Sequence, residues 1–225
     1  MKLLWNAAPR ATIPHSSLEP TSPEASLEAV HLPLQGWCEL ERDSHWITWG
    51  NASNQFRLLE VVDGNSGFPA INQSSLNNYR RALRQNSLER GRGIVEVQLS
   101  TIAGIAALKT ITKHQLEHRL GFGYDGWICV PLPKLTLNIY TKVLGQDTTR
   151  QRATADALLR IERTHTNPDR KIWTCDPYDP EFDEVALNHR TDEARFDHIF
   201  PDHPLSLVRQ DLKTLERHTV FRFQQ

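Results

Sequence analysis

The sequence predicts an α+β fold: an antiparallel β-sheet flanked by helices, with a Pro-rich N-terminal arm and a C-terminal wrapping segment that ends in a helix. Three observations predict it. Short β-prone runs separated by Asp, Asn, Ser and Gly fill residues 36–62. Leu135, Leu137, Ile139, Thr141 and Val143 alternate with Thr136, Asn138, Tyr140 and Lys142, the two-residue period of a strand with one core face. Leu205, Val208, Leu212 and Leu215 recur at helical spacing and define an apolar stripe.

Taken in order, residues 7–33 carry Pro9, Pro14, Pro20, Pro23 and Pro33 among Ser and Thr, which interrupt helices and offer little to a sheet. They read as an arm covering residues 1–33. Runs at 37–40, 45–49 and 56–62 then suggest a meander. The Asp63-Gly64-Asn65-Ser66-Gly67 break follows, and Ser75 is placed to cap a helix whose Leu76, Tyr79 and Leu83 share a face. Residues 94–99 alternate, with Val95, Val97 and Leu99 on one face, and a second strand follows a bulge or tight turn at Gly104. Residues 127–132 pair with 135–143, and Thr148 with Gln151 spells a capping box opening a helix through Ala155, Leu158, Leu159 and Ile161. A core domain over 34–165 results. The remainder, 166–225, is acidic and aromatic; it then enters a helix at Pro204, with Asp202 near the N-terminal dipole.

The residues at 56–62, the helix from Leu76, the pair over 95–109 with its Ile102-Ala103-Gly104-Ile105-Ala106 turn, the strands at 124–131 and 135–143, and the helix after Thr148 together resemble the PsbP-like α/β/α sandwich, a group that includes DcrB-like bacterial proteins. The resemblance covers roughly half of the chain, an ordinary single-domain span. It implies a binding or accessory module, as in photosystem extrinsic subunits, a nuclear-import factor and bacterial secretion chaperones, with no shared catalytic residues. The arm at 7–33 and the segment after Trp173 depart from the minimal domain.

The chain has 225 residues, enough for one domain with extensions, and a net charge of −1, which supplies no field for nucleic acid or an anionic membrane. Cys38, Cys129 and Cys175 are odd in number and widely spaced, so buried free thiols are expected rather than a disulfide framework or a zinc pair. Asn6 and Arg10 interrupt the first apolar residues before a signal peptide or span could form, so a cytoplasmic protein is expected.

His114-Gln115-Leu116-Glu117-His118 spells H-x-x-E-H, in which a helix offers His114 and His118 to zinc while Glu117 activates water. It stands between two strand-like runs, so a strand end or hairpin connection competes with it. Gly121-Phe122-Gly123-Tyr124-Asp125-Gly126 spells G-x-G-x-x-G, but Trp127-Ile128-Cys129-Val130-Pro131 follows where a phosphate-binding helix would have to open, so a turn with positive φ at the glycines is expected. Asp176, Asp179, Asp183 and Glu184 lack calcium-loop spacing, and His189, His198 and His203 with Asp197 and Asp202 match no ligand motif. Arg80, Arg81, Arg84, Arg90 and Arg92 form a basic patch without the interleaved aromatics of single-strand binders.

The expectation is a non-enzymatic protein-binding or accessory module without a cofactor. Tyr178, Phe182, Phe196 and Phe200 are candidate partner contacts. The C-terminal segment either covers the sheet in cis or exchanges onto a second copy in a homodimer. Two alternatives stand beside it: a small metal-dependent hydrolase using His114, Glu117 and His118, and a small-ligand carrier with a cavity between sheet and helices.

Overall fold

A computed structural model describes residues 27–63, 71–116, 122–133, 135–143, 152, 154, 155, 177, 178 and 190–222. Nine strands run along them: β1 (Val30–His31), β2 (Trp37–Arg42), β3 (Trp46–Asn51), β4 (Gln55–Asp63), β5 (Arg92–Ile102), β6 (Ile105–Gln115), β7 (Phe122–Pro131), β8 (Leu135–Val143) and β9 (Val220–Phe221). Helix α1 spans Gln73–Glu89 and helix α2 spans Pro204–His218. Seven strands make one antiparallel sheet in the order β2-β3-β4-β8-β7-β6-β5. The expected α+β architecture is therefore what the chain forms, with α1 and α2 on opposite faces of the sheet. The order follows from one long crossover: α1 carries the chain from β4 to the far edge, and three hairpin steps bring β8 back beside β4.

Helix α1 contains no β-branched residue, glycine or proline, so no strong helix breaker interrupts its span. Its cap is Asn72 rather than the expected Ser75. Asn72 Oδ1 accepts from the Ser74 and Ser75 amides, each at 3.0 Å, and Ser75 Oγ reaches back to accept from the Asn72 amide at 2.9 Å, a reciprocal arrangement that satisfies the first-turn donors. Gly91, at φ +62°, ends the helix in the left-handed conformation. Leu76, with Tyr79 and Leu83, packs on Ile94, Val97, Leu108 and Cys129, as the helical spacing predicted.

Strands β5 and β6 meet at a two-residue turn with φ +49° at Ala103 and +81° at Gly104, the tight turn expected at that glycine. The alternation expected of β5 fails. The register shifts between Ile94 and Glu96, a bulge that puts Val95 in the core under α2 while Ile94 and Val97 face α1. Val95 and Val97 are thus on opposite faces, and Leu99 is 39% exposed.

The stripe read from the sequence is the buried face of α2: Leu205, Val208, Leu212 and Leu215 are each at most 1% exposed and join Tyr124, Ile128, Leu137 and Ile139 in the larger core. Burial of this kind stabilises by about 1.5–3 kcal/mol per side chain. Pro204 occupies the first turn, as expected, and His203 caps it, its Nδ1 accepting from the Leu205 amide at 3.2 Å. Helix α2 therefore packs on the sheet by this stripe.

The glycines of the G-x-G-x-x-G spelling correct another expectation. Gly123 and Gly126 lie inside β7, not in a turn, and neither has positive φ; Gly121 is outside the described residues. Gly126 is needed for close approach: a Cβ there would lie 2.7 Å from Val208 Cγ1 and 2.9 Å from Leu212 Cδ1. Helix α2 rests directly on the backbone of β7.

Residues at the end of the Pro-rich region also join the fold. A 3₁₀ turn at Leu27–Ala29 leads into β1, which pairs with β9 through Val30 and Phe221, and through His31 and Val220. The helix expected after Thr148 falls outside the described residues except for Arg152, Thr154 and Ala155, which are helical.

Candidate functional site

Buried ionisable side chains are the first place to look for chemistry, and in this protein they hold α2 and its approach segment to the sheet. Arg57, 2% exposed, forms a bidentate pair with Asp211 of α2, donates to the Pro33 carbonyl at 2.5 Å, and stacks 4.1 Å from the Trp37 ring. One guanidinium thus ties β4, α2, β2 and the strap formed by residues 27–34. Lys113 pairs with Asp192 at 2.7 Å, and the Tyr124 hydroxyl donates to the same carboxylate at 3.2 Å. Burial, together with the Asp192 charge, pushes the Tyr124 phenol well above its usual range. Asp197 accepts from Arg152 at 2.5 Å and from Arg209 at 2.8 Å, and Arg209 also donates to Glu96 at 3.0 Å. Removing one member of such a pair strands a buried charge, so the network fixes where the segment sits.

Of the H-x-x-E-H spelling, His114 and Gln115 belong to β6, and Glu117 and His118 lie outside the described residues. His114 instead joins a cross-strand row. Its Nδ1 is 3.2 Å from Asp125 Oδ2, with Arg92 at 3.6 Å and Lys142 at 3.7 Å from the same carboxylate. Burial alone would raise the Asp125 pKa, but contact with His114 and the charges of His114, Lys142 and Arg92 outweigh it and hold the carboxyl below its usual value. Among the described residues no group of three or more His, Cys, Asp or Glu is arranged to hold a metal ion.

Of the candidate partner contacts, Tyr178 is half-buried against the α1 core. Its hydroxyl accepts from the Val97 amide at 2.6 Å, and the Arg80 guanidinium lies 3.9 Å from its ring. Arg80 also donates to the Val97 carbonyl at 2.9 Å, so two side chains cap the outer edge of β5 and draw on the basic patch. Phe196 and Phe200 are half-buried beside Arg195 and Arg152, with guanidinium-to-ring distances of 5.0 and 5.6 Å. Phe182 lies outside the described residues, as do Asp176, Asp179, Asp183, Glu184 and His189. His198 is exposed while His203 is buried at its cap, so the structure does not gather them into one site.

An open groove of about 210 Å3 lies between the strap and the β2–β3 edge. Leu27, Val30, Leu32 and Leu34 form one wall, Ile47 and Trp49 the floor, and Glu28, His31, Glu39 and Arg42 the rim. Arg42 is held by Glu39 through two bonds of 2.9 and 2.8 Å. The volume is below the ~300–1,000 Å3 usual for small-molecule pockets. Sequence reading missed these wall residues because prolines dominate 7–33; the apolar alternation at Val30, Leu32 and Leu34 was the available signal.

No protein family matches the sequence, and no curated protein matches it. Among solved structures the chain is similar to a mutant of the protein Mog1, at 8% identity and TM-score 0.45 over 86% of this chain and 90% of that one. It is similar to the Saccharomyces cerevisiae Ran-binding protein Mog1p at 9% identity and TM-score 0.43, over 86% and 90% of the two chains. Cyanobacterial PsbP (CyanoP) of Synechocystis sp. PCC 6803 is similar at 7% identity and TM-score 0.38, over 66% of this chain and 95% of that one. No helix among the described residues is long and apolar enough to cross a membrane.

Proposed function

We propose that this protein is a non-enzymatic binding or accessory module that engages another protein through the groove between the strap and the β2–β3 edge. The observation that carries this reading is the pairing of an apolar floor, Ile47 and Trp49, with a charged rim beside a strand whose residues Cys38 to Arg42 are all exposed. Apolar centre and polar rim are the anatomy of a protein-contact site. The buried charges elsewhere are occupied in holding α2, which favours a binding role over chemistry.

Affinity capture from the source cell's lysate tests the proposal, using the wild-type protein, a rim-reversed Glu28→Lys/Glu39→Lys variant, and Arg81→Glu on the exposed face of α1 as control. A stoichiometric protein retained by wild type and control and lost by the rim variant is expected. Equal retention by the rim variant, or no retained protein, overturns the reading.

A further inference from the structure

Four ionisable side chains stand in a row across the α1 face of the sheet, the face of Ile94 and Cys129. Arg92 of β5 lies directly opposite His114 of β6, and Asp125 of β7 directly opposite Lys142 of β8. His114 in turn is opposite Gly123, two residues before Asp125. A Cβ at Gly123 would come within 2.5 Å of His114 Nε2, so the glycine gives the imidazole its place over β7. The four side chains are 17–27% exposed.

The row is unbalanced in charge and in hydrogen bonds. Arg92 and Lys142, joined by His114 when it is protonated, face a single carboxylate. Burial opposes ionisation of Asp125, but its three neighbours hold it ionised at neutral pH. Arg92 and Lys142 stand 3.6 and 3.7 Å from it, beyond hydrogen-bond length, and neither has another ion pair or donates a side-chain hydrogen bond among the described residues. Asp125 Oδ1 is buried and also has no hydrogen-bond partner among them. The same holds for Thr112 Oγ1, on a residue that is 0% exposed and directly opposite Asp125 on β6. Buried polar atoms are nearly always partnered, so donors without acceptors beside an acceptor without a donor mark the place of a polar guest.

The two deficits define that guest. The excess positive charge calls for an anion, which water is not. Oδ1 calls for a donor, so the anion must still carry a proton. Sulfate carries none near neutrality, and a phosphate monoester gives up its last at about pH 6. Inorganic phosphate keeps one well past neutrality. We propose that Arg92, His114, Asp125 and Lys142 form a binding site for inorganic phosphate, in which the cations hold its charged oxygens and Asp125 Oδ1 accepts from its P–OH. The row lies on the opposite face of the sheet from Ile47 and Trp49 of the groove, so this site stands or falls independently of the protein-binding reading.

Isothermal titration calorimetry of the full chain, at about pH 7.5 and constant ionic strength, tests the site with inorganic phosphate, sulfate and O-phosphoserine. Phosphate should bind at one equivalent and at least about tenfold tighter than either comparison anion, because each of those leaves Oδ1 without its donor. Its affinity should fall at least about tenfold in Arg92→Gln/Lys142→Gln, checked for an unchanged circular dichroism spectrum. Asp125→Asn, whose amide can donate to a protonless oxygen, should bind sulfate as tightly as phosphate. Equal or tighter binding of either comparison anion by the wild-type protein would reduce the row to plain charge attraction and overturn the proposal. No saturable binding at millimolar phosphate would leave water as the guest and overturn it too. Undiminished binding by Arg92→Gln/Lys142→Gln would place the phosphate elsewhere, and a preference for phosphate that survives in Asp125→Asn would remove the carboxylate from the site; either result overturns it.

Discussion

Replacing Gly126 by alanine tests whether α2 rests on the sheet as closely as described. The added Cβ would meet Val208 Cγ1 at 2.7 Å, Leu212 Cδ1 at 2.9 Å and Thr141 Cγ2 at 3.2 Å, on the buried face of the helix. Two of these contacts are closer than real Cβ atoms tolerate. Either the helix lifts by a few tenths of an ångström or both side chains leave their rotamers, and overpacking of this kind costs about 1–3 kcal/mol. Loss of the glycine's conformational freedom returns about 0.5–1 kcal/mol, so a net loss of about 1–2 kcal/mol is expected. With a urea m-value of about 2 kcal/mol/M, the midpoint followed by tryptophan fluorescence should fall by about 0.5–1 M. The double mutant Gly126→Ala/Val208→Ala opens room for the methyl, so it should be more stable than the sum of the single losses predicts, by about 1 kcal/mol. A wild-type midpoint for Gly126→Ala, or strict additivity in the cycle, would refute the close approach.

Asp211→Ala should cost about 3–5 kcal/mol because it leaves Arg57 buried without its counter-charge, whereas Arg57→Met/Asp211→Leu should recover much of that loss; urea unfolding of both decides. Asp125 has a depressed folded-state pKa, so its contribution to stability is complete above the unfolded value near 3.8 and is lost as pH falls through the folded value. The stability gap between wild type and Asp125→Asn should therefore shrink below about pH 4, and a gap that grows as pH falls below about 4 would contradict the assignment. Burial pushes the Cys129 thiol up to about 12, while Cys38 is exposed. In a Cys175→Ser background, one thiol should react with a chromogenic disulfide in native buffer and a second only in denaturant. Ala103 holds φ +49° in the β5–β6 turn, so Ala103→Asn should raise stability by about 0.5–1 kcal/mol in the same urea assay, given the preference of asparagine for that conformation.

Legibility in the sequence followed the range of the interaction. The α2 stripe, the alternation of β8 and the turn at Gly104 depend on residues within one turn or one strand, and periodicity exposes them. The bulge that sends Val95 and Val97 to opposite faces depends on strand pairing, and simple alternation hides it. Gly123 and Gly126 spell a turn locally, but what requires Gly126 is a helix about eighty residues further along the chain, beyond the reach of any short-range pattern. Arg57 meets Asp211 across 154 positions, and no local feature marks either as half of a pair. The groove was hidden for a related reason: its wall comes from a Pro-rich region whose composition argues for an arm, and only long-range contacts, the pairing of β1 with β9, the Arg57–Pro33 bond and the burial of Leu27 and Val30, bring it onto the fold.

That pairing also decides how the molecule would bear tension. Val30 sits beside Phe221, so the chain enters and leaves the described fold side by side, and Arg222 donates back to the Ala29 carbonyl at 2.8 Å. A pull applied between the two ends would load a two-residue ladder from its end, parting its bonds in succession before force reached the seven-stranded sheet. The strap that walls the groove would be the first element released. A tether at either end would then report mechanical load as a loss of the groove, while the core that supports it stayed folded.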